Sequence, residues 1–311
     1  MKTVIAACCA ALLAAALPAV AAEDFKPARI KLPYAEQQAA MTTMAKSAAA
    51  GARIKYHNGP VMTAPVNTIY VIWYGSFPVT GAANDTKTIM SDFFANIGGS
   101  PQYNVNTTYY DASKTFVKNA LHWDPATTSY DDNYSVGHSP TDSQIITIVS
   151  NAIRGNHLPA DDNAIYFVVT SPDATSKLRS GCAWHDGSST LISGHKIKYS
   201  SIPVYGGSQL QGCDGNVQNF KEQNSPNDNL EADNALDSFM HELSEAITDP
   251  MPTTGWATRT GSENGDLCNF NYGTTYLAPN GTHADAHIGK RDYLVQTIWQ
   301  NTGTGLCANT H

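Results

Sequence analysis

One segment, residues 236–250, constrains this chain more than any other, because its spacing separates apolar side chains from acidic and imidazole ones. A helix advances about 100° per residue, so each face can be read directly from the sequence. The apolar face collects Leu236, Phe239, Met240, Leu243, Ala246 and Ile247. The opposite face collects Asp237, His241, Glu242, Glu245 and Asp249. The pattern predicts one amphipathic helix that ends at Pro250.

The polar face of this helix suggests a metal site. His241 and Glu245 are spaced i,i+4, so they lie on adjacent turns and could bind one ion. Zinc accepts imidazole nitrogen and carboxylate oxygen ligands. Glu242 occupies the position of the general base in zinc hydrolases with a His-Glu-x-x-His helix, although here Glu245 replaces the second histidine. The competing interpretation is the solvated face of an ordinary surface helix.

Further metal ligands are expected from segments outside the helix. Glu263 or Asp266 could supply the third ligand, since zinc hydrolases usually take one from a later segment. The alternative is a turn in which the aspartate bonds its own backbone. Cys268 would fix this segment if it were oxidised. His185 could face the metal from a neighbouring strand, but a histidine in such a turn more often bonds a backbone carbonyl.

The N-terminus and the cysteines indicate export. Residues 1–22 combine Lys2, an Ala/Leu-rich apolar run and a small-residue end, which is typical of a secretory signal peptide. No later apolar run is long enough to predict a membrane span. Four cysteines remain after cleavage, and an even number in an exported chain suggests disulfides. Of three possible pairings, Cys182–Cys213 and Cys268–Cys307 are favoured because each closes a local loop.

The rest of the chain predicts one layered α/β domain. Residues 23–52 form a linker or a helix, and residues 53–311 form a domain with a mixed sheet, flanking helices and long polar loops. Strands are predicted at residues 68–74, 103–110, 164–170 and 293–299, and helices at 86–97 and 141–153. Residues 206–233 are polar and predicted to be mostly loop. Alternation of strand and helix in the first half supports the α/β class.

Charge and motifs exclude several functions. The chain has 19 Lys+Arg against 27 Asp+Glu, a net charge of −8, which disfavours nucleic acid and anionic membranes as partners. No Gly-rich phosphate loop follows a predicted strand, and no Gly-x-Ser-x-Gly elbow is present.

A series of landmarks in order along the chain resembles the phosphate-induced (EXORDIUM-like) family. They are residues 55–60, 72–77, 131–137, 168–173, 182–185 and 248–250, Glu263, and the closing segment from Tyr293 to Cys307. The resemblance implies an exported protein with the family fold and its disulfides. Plant members are secreted cell-wall proteins linked to growth, and their helix is similar at His241, Glu242 and Glu245, with Asn in place of Asp249. The resemblance implies a shared site or a shared structural helix, and Glu263 and His185 match family positions.

Two functions follow as expectations. The first is a secreted zinc-dependent hydrolase of zincin-like layout, with a metallopeptidase as the leading candidate. Zinc would be held by His241, Glu245 and either Glu263 or Asp266, and Glu242 would be the general base. Its substrate would be a peptide or an extracellular or cell-wall component. The second is a non-catalytic extracellular or cell-wall binding protein, whose polar loops and aromatic side chains contact glycan or protein.

Overall fold

The computed structural model describes residues 30–38, 54–178 and 181–311. The predicted signal peptide lies outside the described residues, and so does most of the predicted linker at 23–52. The helices are α1 (Thr86–Ile97), α2 (Pro101–Asn104), α3 (Ile145–Arg154), α4 (Gly207–Cys213) and α5 (Leu230–Thr248). The strands are β1 (Lys55–Tyr56), β2 (Asn67–Tyr74), β3 (Leu121–His122), β4 (Ser129–Asp132), β5 (Ala164–Thr170), β6 (Trp184–Gly187), β7 (Lys198–Pro203), β8 (Trp256–Ala257), β9 (Tyr276–Leu277), β10 (His283–Ala284), β11 (Ala286–Ile288), β12 (Arg291–Tyr293), β13 (Ile298–Gln300) and β14 (Leu306–Ala308).

A mixed sheet in the order β3-β2-β5-β7-β6 forms the centre of the domain, and β4 also pairs with β2. All its pairings are parallel except that of the edge strand β6, which runs antiparallel to β7. Strands β2 and β5 are almost wholly buried, as their continuous apolar sequences predict. This arrangement confirms the α/β class and the mixed sheet.

Both faces of the sheet are covered. Side chains at alternate positions of β2 point to opposite sides, so Ile69, Val71 and Trp73 join one core while Tyr70, Ile72 and Tyr74 join another. Helices α1 and α5 pack on the first face, and α3 packs on the second. Helix α5 contacts β6 and β7 of the sheet, and its Asp237 and His241 side chains bond Gln296 near the C-terminus.

The structure corrects the strand predicted at residues 103–110. The segment forms α2 and then a 3-10 turn at Val105–Thr108. Ser100 caps the helix, because its hydroxyl accepts a hydrogen bond from the Tyr103 N–H, and Pro101 at the first helical position favours helix initiation. Tyr103, Val105 and Tyr109 still reach the core, so their near-alternation in sequence did not require a strand.

The predicted strand at 293–299 is interrupted. Strand β12 ends at Tyr293 and β13 begins at Ile298. Between them the Val295 and Gln296 N–H groups donate to the buried carboxylates of Asp285 and Asp237, which replace a strand partner. Residues 206–233, predicted as mostly loop, contain the short helix α4 and a π-helical turn at Asn216–Phe220.

Both predicted disulfides are confirmed, Cys182–Cys213 and Cys268–Cys307. Residues 30–38 lie against the domain: the Lys31 N–H donates to the Ala183 carbonyl, and the buried Lys31 ammonium lies 2.5 Å from an Asp237 carboxylate oxygen. None of the helices in the described part of the chain has the length and apolarity needed to cross a bilayer.

Candidate metal centre

Helix α5 supplies most of the candidate site, and its polar face is not a solvated surface. The helix begins at Asn229, whose side chain accepts a hydrogen bond from the Ala232 N–H. Every residue from Ala232 to Thr248 is buried, including both faces. The apolar face packs in the core beneath the sheet, while β6 also contacts the helix. Burying an imidazole and several carboxyl groups is costly unless they are paired or coordinate a metal.

The i,i+4 pair and Asp266 form the first set of possible ligands. The His241 Nε2 atom lies 3.1 Å from Glu245 Oε1 and 3.8 Å from Asp266 Oδ1. One potential ligand atom from each of the three lies within 4.8 Å of the others. The Asp266 N–H donates to Glu245 Oε1 at 2.9 Å, which orients that carboxylate.

Gln296 fixes the orientation of His241, and no local sequence pattern indicates this contact. Its Oε1 atom lies 3.0 Å from His241 Nδ1, while its Nε2 donates to the Gly265 carbonyl. The amide is thereby oriented with its oxygen towards the ring, so Nδ1 carries the proton in this hydrogen bond. In the neutral imidazole the Nε2 lone pair is then directed at Glu245 and Asp266, which is how metal-binding histidines are commonly oriented.

His185 belongs to the same cluster and does not make the backbone hydrogen bond expected of a turn histidine. Its Nδ1 atom lies 3.1 Å from Glu242 Oε2 and 3.5 Å from Glu245 Oε2. Its Nε2 atom lies 3.8 Å from Glu263 Oε1. His185, Glu242 and Glu245 form a second set whose ligand atoms lie within 4.8 Å of one another. The edge strand β6 carries His185 to this position.

The two alternatives for the third ligand occupy different places. Asp266 lies with His241 and Glu245, whereas Glu263 lies beside His185. The turn that carries them is held internally, since the Glu263 N–H donates to Asp266 Oδ2 and the 3-10 turn Asp266–Cys268 ends at the Cys268–Cys307 disulfide. The aspartate therefore bonds the backbone of its own turn and also faces the helix.

The cluster attracts positive charge. Burial lowers the pKa of His241, but the carboxylates of Glu245, Glu242 and Asp266 outweigh burial and raise that pKa to about 9. Burial also lowers the pKa of His185, but the hydrogen bond to Glu242 and the negative charges of Glu242, Glu245 and Asp249 together raise that pKa above its usual value. Burial raises the pKa of Glu242. Burial also raises the pKa of Glu245, but the interactions of its carboxylate with His241, His185 and the Asp266 N–H together leave that pKa below the usual value.

Several buried polar atoms in the cluster make no hydrogen bond. Within the described residues, they include His241 Nε2, His185 Nε2, Glu242 Oε1 and Glu245 Oε2. An unsatisfied buried polar group costs about 1–3 kcal/mol, and more when it is charged. Each of the two sets brings imidazole nitrogen and carboxylate oxygen atoms within 4.8 Å of one another, and zinc accepts both kinds of ligand. The residues present therefore fit a divalent metal ion.

Access from solvent is restricted. The side chains of His185, His241, Glu242, Glu245 and Glu263 are 0% exposed, and that of Asp266 is 21% exposed. Asp266 therefore marks the side of the cluster that faces solvent.

A separate pocket of about 420 Å³ is lined by aromatic side chains. Tyr56 stacks on Trp256, with ring centroids 5.4 Å apart, and Tyr110 meets the edge of Trp256. Trp299, Asn301 and Thr304 complete much of its wall. Aromatic faces combined with a few polar groups are typical of ligand sites.

Comparisons with known proteins agree with the sequence landmarks. A family model described as the phosphate-induced protein 1 conserved region matches residues 54–309. Protein EXORDIUM-like 5 of Arabidopsis thaliana is 26% identical over 278 residues, covering 79% of this chain and 75% of that protein. Protein EXORDIUM-like 3 of the same plant is 25% identical over 287 residues, covering 80% and 81% respectively. No solved structure gives a significant match. A match over most of the chain, including every segment that carries the His/Glu cluster, shows that this protein belongs to the phosphate-induced protein family.

Proposed function

We propose that the protein is a secreted zinc-dependent hydrolase, with peptides as its leading substrate class. The observation that carries the proposal is the position of His241 Nε2, which is buried, lacks a hydrogen bond within the described residues, and faces carboxylate oxygens of Glu245 and Asp266. His241, Glu245 and Asp266 would hold the ion, and Gln296 would keep the ring in the required orientation. Glu263 lies farther along the cluster, beside His185.

Bound zinc would polarise a substrate carbonyl and activate a water molecule. Glu242 would accept the proton from the attacking water and return it to the leaving amine. Its Oε2 atom is held by His185, while Oε1 makes no hydrogen bond within the described residues. His185 would therefore position the general base. Substrate would approach from the side of Asp266, the most exposed member of the cluster.

The layout proposed for the domain is zincin-like. A mixed sheet lies over α5, and its antiparallel edge strand β6 contacts that helix. The contact supports a zincin-like arrangement, in which the helix that carries the metal ligands lies beneath an edge strand of the sheet. Export through the N-terminal signal is supported by the two disulfides, which persist in oxidising compartments.

Metal analysis of the purified protein tests the proposal. The wild type should retain zinc through gel filtration and hydrolyse members of a peptide library. His241→Ala should lose the zinc and the activity together. His195→Ala is the matched control, because His195 also pairs with a carboxylate but is partly exposed and belongs to neither ligand set. A wild type that binds no zinc, or a His241→Ala variant that keeps it, would reject the site.

The alternative is a non-catalytic extracellular binding protein, and two observations favour it. The cluster is enclosed like a structural metal site, and the aromatic pocket offers a separate ligand surface. In that case zinc would stabilise the fold, and no substrate would be hydrolysed. Titration with cell-wall oligosaccharides, followed by tryptophan fluorescence, should then show binding that Tyr56→Ala weakens and His195→Ala leaves unchanged.

A further inference from the structure

We infer that the cluster has a second position for a divalent cation, between His185, Glu242 and Glu245, and that Glu245 bridges the two positions. The inference rests on the proposed metal function of His241, Glu245 and Asp266, and adds a second ion to that site. Its consequence is regulatory, because the second position includes the residue proposed as the general base.

The two oxygens of Glu245 face different histidines. Oε1 lies 3.1 Å from His241 Nε2 and accepts the Asp266 N–H, whereas Oε2 lies 3.5 Å from His185 Nδ1. A carboxylate that presents one oxygen to each of two ligand groups is placed to join two ions. Two-metal hydrolytic sites hold their ions about 3.5–4 Å apart, a span that one carboxylate can bridge.

The set formed by His185, Glu242 and Glu245 also contains buried oxygen atoms without hydrogen-bond partners. This observation is independent of how the two oxygens of Glu245 are placed. Glu245 Oε2 and Glu242 Oε1 accept no hydrogen bond from the described residues, and both side chains are 0% exposed. His185 Nδ1 can donate one hydrogen bond, which goes to Glu242 Oε2. One proton on His185 Nδ1 therefore cannot satisfy the oxygens of both glutamates, whereas a cation between them could.

Charge supports the same conclusion. Glu242, Glu245 and Asp266 carry three negative charges when ionised, and one divalent ion with neutral imidazoles leaves a negative charge in a buried place. No lysine or arginine in the described part of the chain forms an ion pair with Glu242 or Glu245. Uncompensated buried charge is strongly destabilising. A second cation would supply the missing positive charge, whereas a proton on His185 or on Glu242 would be the competing way to balance the cluster.

Filling the second position would tie the Glu242 carboxylate to a cation. Glu242 could then no longer act as a free proton acceptor, so an excess of zinc should inhibit the hydrolysis proposed above. The first position would keep its ligands, because His241 and Asp266 belong to it alone and Glu245 would bind the two ions through different oxygens.

Zinc stoichiometry tests the inference without using activity. The full exported chain, stripped of metal and titrated with zinc chloride, should bind two ions by calorimetry and by elemental analysis. His185→Gln should bind one, because glutamine can still bond Glu242 but is a much poorer zinc ligand. His195→Gln, a change at a partly exposed histidine that also pairs with a carboxylate, should still bind two.

Crystals of the zinc-loaded wild type provide a second measurement that does not depend on a variant folding. An anomalous difference map at the zinc edge should show two peaks beside Glu245. A single peak and one equivalent of zinc would overturn the second position and leave the proposed function standing. No bound zinc at all would overturn both. Two equivalents that persist in a folded His185→Gln variant would also reject the second position.

Discussion

The His241 Nδ1 atom lies 3.0 Å from the Oε1 atom of Gln296, a residue 55 positions later in the chain. The glutamine is itself fixed, because its N–H donates to Asp237 Oδ1 and its side-chain nitrogen donates to the Gly265 carbonyl. The orientation of the imidazole on α5 thus depends on the interrupted strand at 293–299 and on the turn that carries Asp266. Three segments distant in sequence set one side chain.

Replacing Gln296 with leucine should weaken zinc binding while leaving the ligands in place. The variant removes the acceptor that holds the Nδ1 proton of His241, so the ring loses its preferred tautomer and orientation. Loss of a residue that hydrogen-bonds a metal-binding histidine typically lowers metal affinity by about 10–100-fold. Competition with a chromophoric chelator measures the change.

Gln300→Leu is the matched control for this measurement, because Gln300 lies on β13 and bonds His311 outside the cluster. Equal zinc affinities for Gln296→Leu and the wild type would show that the hydrogen bond to Gln296 does not prepare His241 for a metal.

The two disulfides should differ in their effect on zinc. They enclose similar spans, 31 and 39 residues, so each should contribute a similar amount to stability, on the order of 3–4 kcal/mol in the chain-entropy account. Only Cys268–Cys307 ends the turn that carries Asp266. Replacing Cys268 and Cys307 with alanine should therefore lower both Tm and zinc affinity.

The Cys182→Ala/Cys213→Ala variant is the comparison for the loss of a bridge alone. It should lower Tm by a similar amount and weaken binding at His241 less. Chelator competition and thermal unfolding of both variants, with and without zinc, separate the two effects. An identical loss of zinc affinity in both would mean that the Asp266 turn needs no covalent support.

Stability should fall as pH rises from about 5 to 8, and Asp214 should contribute to this. Burial raises the pKa of Asp214 to about 7, and the neighbouring carboxylates of Asp237 and Asp233 act in the same direction. The folded pKa lies above the unfolded value of about 3.9, so the folded state binds more protons. Its contribution is complete below about pH 4 and is lost as pH rises through about 7, at up to about 1.4 kcal/mol per pH unit.

Asp214→Asn should flatten this dependence, because the amide oxygen can still accept the Val217 N–H and carries no charge. Asp131→Asn, a change at a largely exposed carboxylate, should leave the slope unchanged. Thermal unfolding from pH 5 to 8 provides the measurement. A slope in Asp214→Asn equal to that of the wild type would assign the pH dependence to other groups.

The fold could be predicted where the determinants are local. The apolar sequences of β2 and β5 fix buried strands, and the helical spacing from Leu236 to Ile247 fixes α5 and places Glu245 beside His241. The near-alternation at Tyr103, Val105 and Tyr109 was ambiguous, because a capped helical turn also brings these side chains to the core.

The rest of the site depends on tertiary structure. His185 comes from an edge strand and Gln296 from an irregular segment. Both are far from α5 in sequence, so no sequence pattern indicates their contact with that helix. The choice between Glu263 and Asp266 could not be made from the sequence either, because both lie on one short turn. In the structure they stand on different sides of the cluster, each beside a different histidine.

Glu242→Gln should separate hydrolysis from metal binding. Glutamine retains an oxygen that can accept the His185 hydrogen bond, so the packing of the buried cluster should survive. It cannot accept the proton of the attacking water, so hydrolysis of a responsive peptide should fall by about a hundredfold or more. The zinc held by His241 should remain.

Glu231→Gln, in the first turn of the same helix and outside both ligand sets, should keep full activity. Peptide hydrolysis assayed at one equivalent of zinc, with zinc content and Tm determined on the same samples, makes the comparison. Full activity in Glu242→Gln would remove Glu242 from the reaction, and a wild type that binds zinc but cleaves no peptide would favour the non-catalytic alternative.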